Sequence, residues 1–156
     1  MHHKIFIGVD PGTTGGIAII GSDGRAIGYK MPETKEEVLE MLDTDYLWRP
    51  WQKTNSVEIT RVLEVVHSSP QQGVATSFKF GRMFGWVEMA LARYDPIEVS
   101  PQKWQAALNC RSGGDKNIPY AKAKKLFPDA KGLIQQTADA FLIAYYGYLK
   151  QGTTFA

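Results

Sequence analysis

The chain has 156 residues, 44% of them hydrophobic and 22% charged, with a net charge of +2, the balance of an ordinary folded protein. This length predicts one domain over residues 1–156 whose core needs no disulfide, and the one cysteine, Cys110, can form no internal bridge. No apolar run reaches the roughly 20 residues of a membrane span, and residues 1–4 enter a strand without a secretion-signal core, so a cytoplasmic protein without a membrane partner is expected.

Residues 4–9 are a β-branched apolar run, read as a buried strand; His2 and His3 before it are given no ligand role. A glycine-rich turn leads to a second strand at 16–20. The Ser22-Asp23-Gly24 turn returns the chain as a third strand at 26–30. Residues 34–42 have helical spacing, with Val38, Leu39 and Leu42 apolar and Glu36, Glu37 and Glu40 polar. Residues 43–56 read as irregular. A fourth strand is predicted at 60–66, a polar loop at 68–76, a helix at 77–93 and a short strand at 97–99. Ser100-Pro101 opens the next helix, with Ser able to cap and Pro suited to the first helical position. A loop over 109–118, a helix at 119–127 and a last helix at 137–150 complete the chain. Hairpins first and crossovers later predict an α/β fold. Its mixed five-stranded sheet would have three antiparallel hairpin strands plus two parallel ones, flanked by helices.

Three carboxylates stand where a purely structural protein rarely puts them. Asp10 ends the first strand, Glu64 lies between Leu63 and Val65, and Asp139 lies in the apolar segment Ala138-Asp139-Ala140-Phe141. A buried carboxylate needs a cation or strong hydrogen bonds. Any one of them could be a satisfied core acid, but three on separate elements suggest a shared divalent cation. Oxygen donors favour magnesium or manganese over zinc, and no Cys/His spacing suits zinc.

The segment Ile7-Gly8-Val9-Asp10-Pro11-Gly12-Thr13-Thr14-Gly15-Gly16 resembles the first motif of the RuvC-type Holliday-junction resolvases. Leu63-Glu64-Val65-Val66-His67 is similar to their second. Ser77-Phe78-Lys79-Phe80-Gly81-Arg82, Val99-Ser100-Pro101-Gln102-Lys103-Trp104 and Thr137-Ala138-Asp139-Ala140 resemble later blocks in the same order, from about residue 4 to residue 147. The compact loop over 69–74 looks like the phage-borne branch. The resemblance implies an RNase H-like fold and a crossover junction endodeoxyribonuclease acting in a bacterial or phage-infected cell. It also implies two Mg²⁺ ions about 3.5–4 Å apart, replaceable by Mn²⁺, and products ending in 5′-phosphate and 3′-hydroxyl. Asp10 would bridge the ions, Glu64 would hold one, and Asp139 would complete the site. The family's last motif usually carries a further acidic or histidine ligand one turn before the final Asp. Here Gln135 and Gln136 stand in that region, and Gln136 is assigned the place. A glutamine carbonyl binds a hard cation more weakly than a carboxylate does; Asp115 or Asp129 could serve instead from a loop.

A pI near 8.6 does not by itself imply nucleic acid, but the charge is unevenly spread. Lys103, Arg111, Lys116, Lys122, Lys124, Lys125 and Lys131 cluster late in the chain, and acidic residues gather at 33–45. Lys79, Arg82, Lys103 and Lys116 are assigned to the phosphates of branched DNA, and His67 to a base or phosphate near the branch point. Each could also be an ordinary solvated side chain. The helix at 77–93 is apolar on all sides, with Phe78, Phe80, Met83, Phe84, Trp86 and Met89, and its Ser77, Gly81 and Gly85 form a small-residue strip. One face can cover the sheet; the resemblance implies that the other forms a homodimer. Asp10-Pro11-Gly12-Thr13 also resembles the phosphate loop of the actin and sugar-kinase superfamily. Those proteins need two such lobes, and Glu64 and Asp139 would then lack a reason, so no nucleotide cofactor is expected. Two more functions stay compatible with these residues. One is a protein that grips branched DNA with weak or no cleavage, and the second is a nuclease of this fold acting on flaps or forks.

Overall fold

A computed structural model describes residues 3–43, 46–47, 49–51, 56–67 and 69–151. Five strands and five helices follow in chain order: β1 (His3–Asp10), β2 (Gly16–Gly21), β3 (Ala26–Lys30), α1 (Lys35–Asp43), β4 (Val57–Glu64), α2 (Val74–Leu91), β5 (Ile97–Val99), α3 (Pro101–Ala107), α4 (Asn117–Leu126) and α5 (Ala138–Lys150). The sheet order is β3-β2-β1-β4-β5. β1, β2 and β3 pair antiparallel, while β4 lies parallel to both β1 and β5. The expected mixed sheet is therefore present.

Alternation along the central strands builds two cores. Successive side chains of a strand point to opposite faces. Ile5, Ile7 and Val9 of β1 and Leu63 of β4 face α1 and α2, where they meet Val38, Leu42, Met83, Val87 and Leu91. Phe6 and Val62 face the other way, onto Phe141, Leu142 and Ala144 of α5. Helices cover both faces, as a sheet with a central parallel pair requires.

The element boundaries differ from the sequence reading in informative ways. β4 runs from Val57 to Glu64 rather than over 60–66, so Glu64 ends its strand instead of lying inside it. α2 starts at Val74, directly after the extended Gly73, three residues before the expected start. α4 starts at Asn117, two residues before the expected Pro119. Proline fits there because the first backbone N–H groups of a helix have no partner within it. Of the irregular stretch 43–56, residues 44, 45, 48 and 52–55 lie outside the described residues, as does His2. Trp51 within it is buried, and its indole N–H donates to Asp23 at 3.1 Å. Among the described residues no helix is long and apolar enough to cross a membrane.

Candidate metal centre and cleft

Asp10 and Glu64 are the last residues of neighbouring parallel strands. Val9 is in register with Leu63, so the two carboxylates leave the same end of the sheet. By the same alternation both project to the face of Phe6 and Val62, the face covered by α5. Asp139 sits in the first turn of α5.

What sets its distance from the sheet is Gly8. A Cβ on Gly8 would lie 2.1 Å from the Ala140 carbonyl oxygen and 2.4 Å from the Ala144 nitrogen, so the bare backbone of β1 is the seat of α5. Gly16 beneath Thr137 and Gly147 beneath Val62 repeat this close approach. At the helix start the buried Thr137 hydroxyl donates to the Gly132 carbonyl at 2.7 Å and accepts from the Ile134 N–H at 3.0 Å. Asp139 is thus held beside Asp10 and Glu64 by packing on both sides of it.

The three carboxylates act on one another. Burial pushes the Asp10 carboxyl well above the usual carboxylate range, and the charges of Glu64 and Asp139 add to this, against a lowering by Lys116. Burial also raises Glu64, and Asp139 reinforces it; hydrogen bonds from Trp104 and with Asp10 oppose. Asp10 and Glu64 share a hydrogen bond. Asp139 pairs instead with Lys116, whose ammonium lies 3.3 Å from Asp139 Oδ2. Burial alone would lower Lys116, but Asp139, with Asp10 and Glu64 behind it, holds the ammonium above its usual value. Trp104 donates its indole N–H to Glu64 Oε2 at 2.6 Å.

Once all three carboxylates are ionised, one ammonium would leave two negative charges in surplus at a partly buried point. That surplus and an all-oxygen donor set fit a hard divalent cation. Among the described residues, however, no three His, Cys, Asp or Glu side chains are already drawn around one point as a finished cage. Asp139 leans on Lys116, and a cation would have to displace that ion pair.

In front of the carboxylates lies an open cleft of about 260 Å³. The turn 10–15 forms one wall, Gln72, Thr76, Lys79 and Phe80 the other, with Lys116 at the mouth. A larger hollow of about 540 Å³ beside α1 is lined by Glu33, Glu37 and Glu40; it lies apart from this chemistry.

The sequence-derived site residues fall into two groups. Asp10, Lys79 and Lys116 line the cleft; Glu64 and Asp139 do not line it but act electrostatically on Asp10 and Lys116. Arg82 stacks over Trp86 at 5.3 Å on exposed α2, while Lys103 and His67 are exposed; none of these three lines the cleft among the described residues. Gln135 and Gln136 lie in the turn before α5 rather than in its first turn. Gln136 donates its amide to the Gly15 carbonyl at 3.1 Å, and Gln135 is turned outward onto Asn117 at 3.2 Å. Asp115 is also occupied, since it accepts from the Asn117 N–H at 2.9 Å, and Asp129 is exposed. Sequence reasoning missed the hydrogen bond from Trp104 to Glu64 and the place of Gln72 and Thr76 in the cleft wall. It also missed Gly8, whose signal was present: a glycine inside an apolar strand often marks close backbone approach.

Among solved structures, the chain resembles Thermus thermophilus RuvC. The two are 20% identical, with 96% of this chain and 97% of that one covered and a TM-score of 0.58. The same organism's RuvC in complex with a Holliday junction substrate gives 18% identity, the same coverage and a TM-score of 0.60. The chain has the RNase H-like fold of RuvC. No family model and no curated protein sequence matches it. Both superpositions run over nearly the whole of each chain, so the fold is shared from β1 to α5.

Proposed function

We propose that this protein is a metal-dependent endonuclease that nicks four-way junctions and related branched DNA. The observation that carries this reading is the mutual influence of the Asp10, Glu64 and Asp139 carboxylates beside a cleft that Asp10, Lys79 and Lys116 line. Asp10, Glu64 and Asp139 would hold divalent cations, Mg²⁺ in the cell with Mn²⁺ as a substitute. Such ions supply the charge that polarises a scissile phosphate and the water that attacks it.

The chain's own groups supply binding and orientation. Lys79 and Lys116 attract the phosphate backbone into the cleft. Lys116 also balances Asp139 until substrate and cation arrive. Gly12, at φ +126°, lets the turn 10–15 pass close to the Phe80 ring on the other wall of the cleft. Arg82, Lys103 and His67 lie outside the cleft and suit contacts with the junction arms. Branch recognition is supported by the RuvC neighbour bound to its Holliday junction substrate.

Two equivalent strands of a junction call for two equivalent sites, and α2 offers a surface for a homodimer. Val74, Phe78 and Met89 are 88%, 70% and 76% exposed. They stand at helical spacing along one face, and Gly81 and Gly85 between them have open space where a Cβ would be. Ser77, expected in the small-residue strip, is half-buried at its edge.

A second reading, junction binding with weak or no cleavage, is favoured by Gln136, which leaves a neutral group near the site and gives its amide to Gly15. One experiment separates the two readings: nicking of a fluorescent four-way junction by wild type and Asp10→Asn, with and without Mg²⁺. Wild-type nicking that needs Mg²⁺ and vanishes in the variant supports the nuclease. Junction binding with no nicking at any Mg²⁺ or Mn²⁺ concentration supports the second reading.

A further inference from the structure

Glu64 is in register with Val99 across the β4–β5 pair. Immediately after Val99, Ser100 caps α3 by accepting from the Lys103 N–H, and Pro101 takes the first helical position. One turn of α3 then brings Trp104 back over the end of β4. Trp104 is fully buried and Glu64 is 7% exposed, so their 2.6 Å hydrogen bond is sheltered from water. An indole N–H can only donate. It therefore takes one acceptor site of Glu64 Oε2 and leaves Oε1 as the oxygen without that bond.

Building on the metal-site reading above, we infer that Trp104 is a positioning residue that makes Glu64 a one-oxygen ligand and so biases the site toward small octahedral cations. Mg²⁺ demands near-ideal octahedral geometry with single-oxygen contacts, whereas Ca²⁺ readily takes both oxygens of a carboxylate. With Oε2 engaged by the indole, only one of its two lone-pair directions is left, so two-oxygen ligation by Glu64 would have to share that oxygen with a buried hydrogen bond. The same bond holds the carboxylate in one orientation, a function that partners of metal ligands commonly serve.

The test is calorimetric titration of the DNA-free protein with Mg²⁺ and, separately, Ca²⁺, for wild type and Trp104→Phe. The phenyl ring fills most of the same space but donates no hydrogen bond. Mg²⁺ affinity should fall about tenfold while Ca²⁺ affinity falls less or rises, so that the Mg²⁺/Ca²⁺ preference drops. An unchanged preference in a folded variant overturns the inference, because a purely structural role would weaken both cations together. Should Trp104→Phe not fold, replacing Trp104 by its benzothienyl isostere, which has sulfur in place of the N–H, carries the same two outcomes. If wild type shows no divalent binding that Asp10→Asn abolishes, the metal-site reading itself fails. If it shows such binding and the preference does not move, only the role of Trp104 fails.

Discussion

Asp10 carries the clearest consequence at the scale of one residue. Its carboxyl is raised by burial and by its two acidic neighbours, so the folded protein binds a proton there more tightly than the unfolded chain does. In the absence of metal the native state is therefore not penalised at low pH. Its stability declines as pH rises from the ordinary carboxylate range through the raised folded-state value, and the penalty is constant above that. Asp10→Asn removes the charge, so in EDTA at pH 7 it should raise stability by on the order of 1 kcal/mol, or about 2–4 °C in Tm. Thermal scans against pH should show the gap between variant and wild type closing as the pH falls. Saturating Mg²⁺ should reverse the order, since a cation that binds only the native wild type stabilises it. Gln136 carries a second consequence. Gln136→Asp should lower the Mg²⁺ concentration needed for half-maximal nicking, because hard cations prefer carboxylate oxygen. It should also cost about 1 kcal/mol of metal-free stability through loss of the bond to Gly15. Gln135→Asp, on a side chain turned toward Asn117, should leave the midpoint unchanged in a titration at fixed ionic strength.

At the scale of an element, the position of α5 decides whether Asp139 belongs to the site. α5 lies directly on β1 because Gly8 has no side chain, and the atoms a Cβ would strike belong to the helix backbone. A flexible side chain could turn aside; a helix backbone can only shift as a body. Gly8→Ala should therefore destabilise the protein by roughly 3 kcal/mol or more and abolish nicking. Gly8 was readable in the sequence as an oddity within a strand. The helix that lies on it was not, because Gly8 and Ala138 stand near opposite ends of the chain and only folding brings them together. Glu64 shows the same division. Its place in an apolar run marked it as unusual, but whether it ended the strand or lay within it depended on the pairing of β4 with β5.

At the scale of the whole molecule, the exposed face of α2 carries the proposed homodimer. Phe78 and Met89 are far more exposed than isolated surface residues need to be, and they lie in line with Val74, an apolar stripe of the kind that marks an interface. Met89→Glu and Phe78→Glu should each give a soluble monomer with unchanged circular dichroism. Sedimentation at micromolar concentration is the check, and a wild-type monomer would remove the dimer. Phe84 behaves differently: it is half-buried against the core shared by α1 and α2 and stacks on Phe80 at 6.2 Å. Phe84→Asp should unfold the chain rather than merely split the dimer. A monomeric Met89→Glu that still binds a junction should make one nick per encounter in place of paired nicks, read from the ratio of nicked to fully resolved junctions.

Much of this protein is written locally in its sequence. β-branched apolar runs and glycine-bearing turns marked the strands, helical spacing marked α1, Ser100-Pro101 set the start of α3, and carboxylates amid apolar neighbours marked Asp10, Glu64 and Asp139. Each depends on a few adjacent residues, so each survives a reading without coordinates. The tertiary structure decided what depends on residues far apart in the chain. It set the meeting of β1, β4 and α5 over Gly8 and the ion pair that turns Asp139 to Lys116. It also set the bond from Trp104 to Glu64 and the bond from the Gln136 amide N–H to the Gly15 carbonyl. Side-chain partners at such distances follow from strand register and from how closely a helix can approach a sheet, and neither is encoded in any short segment.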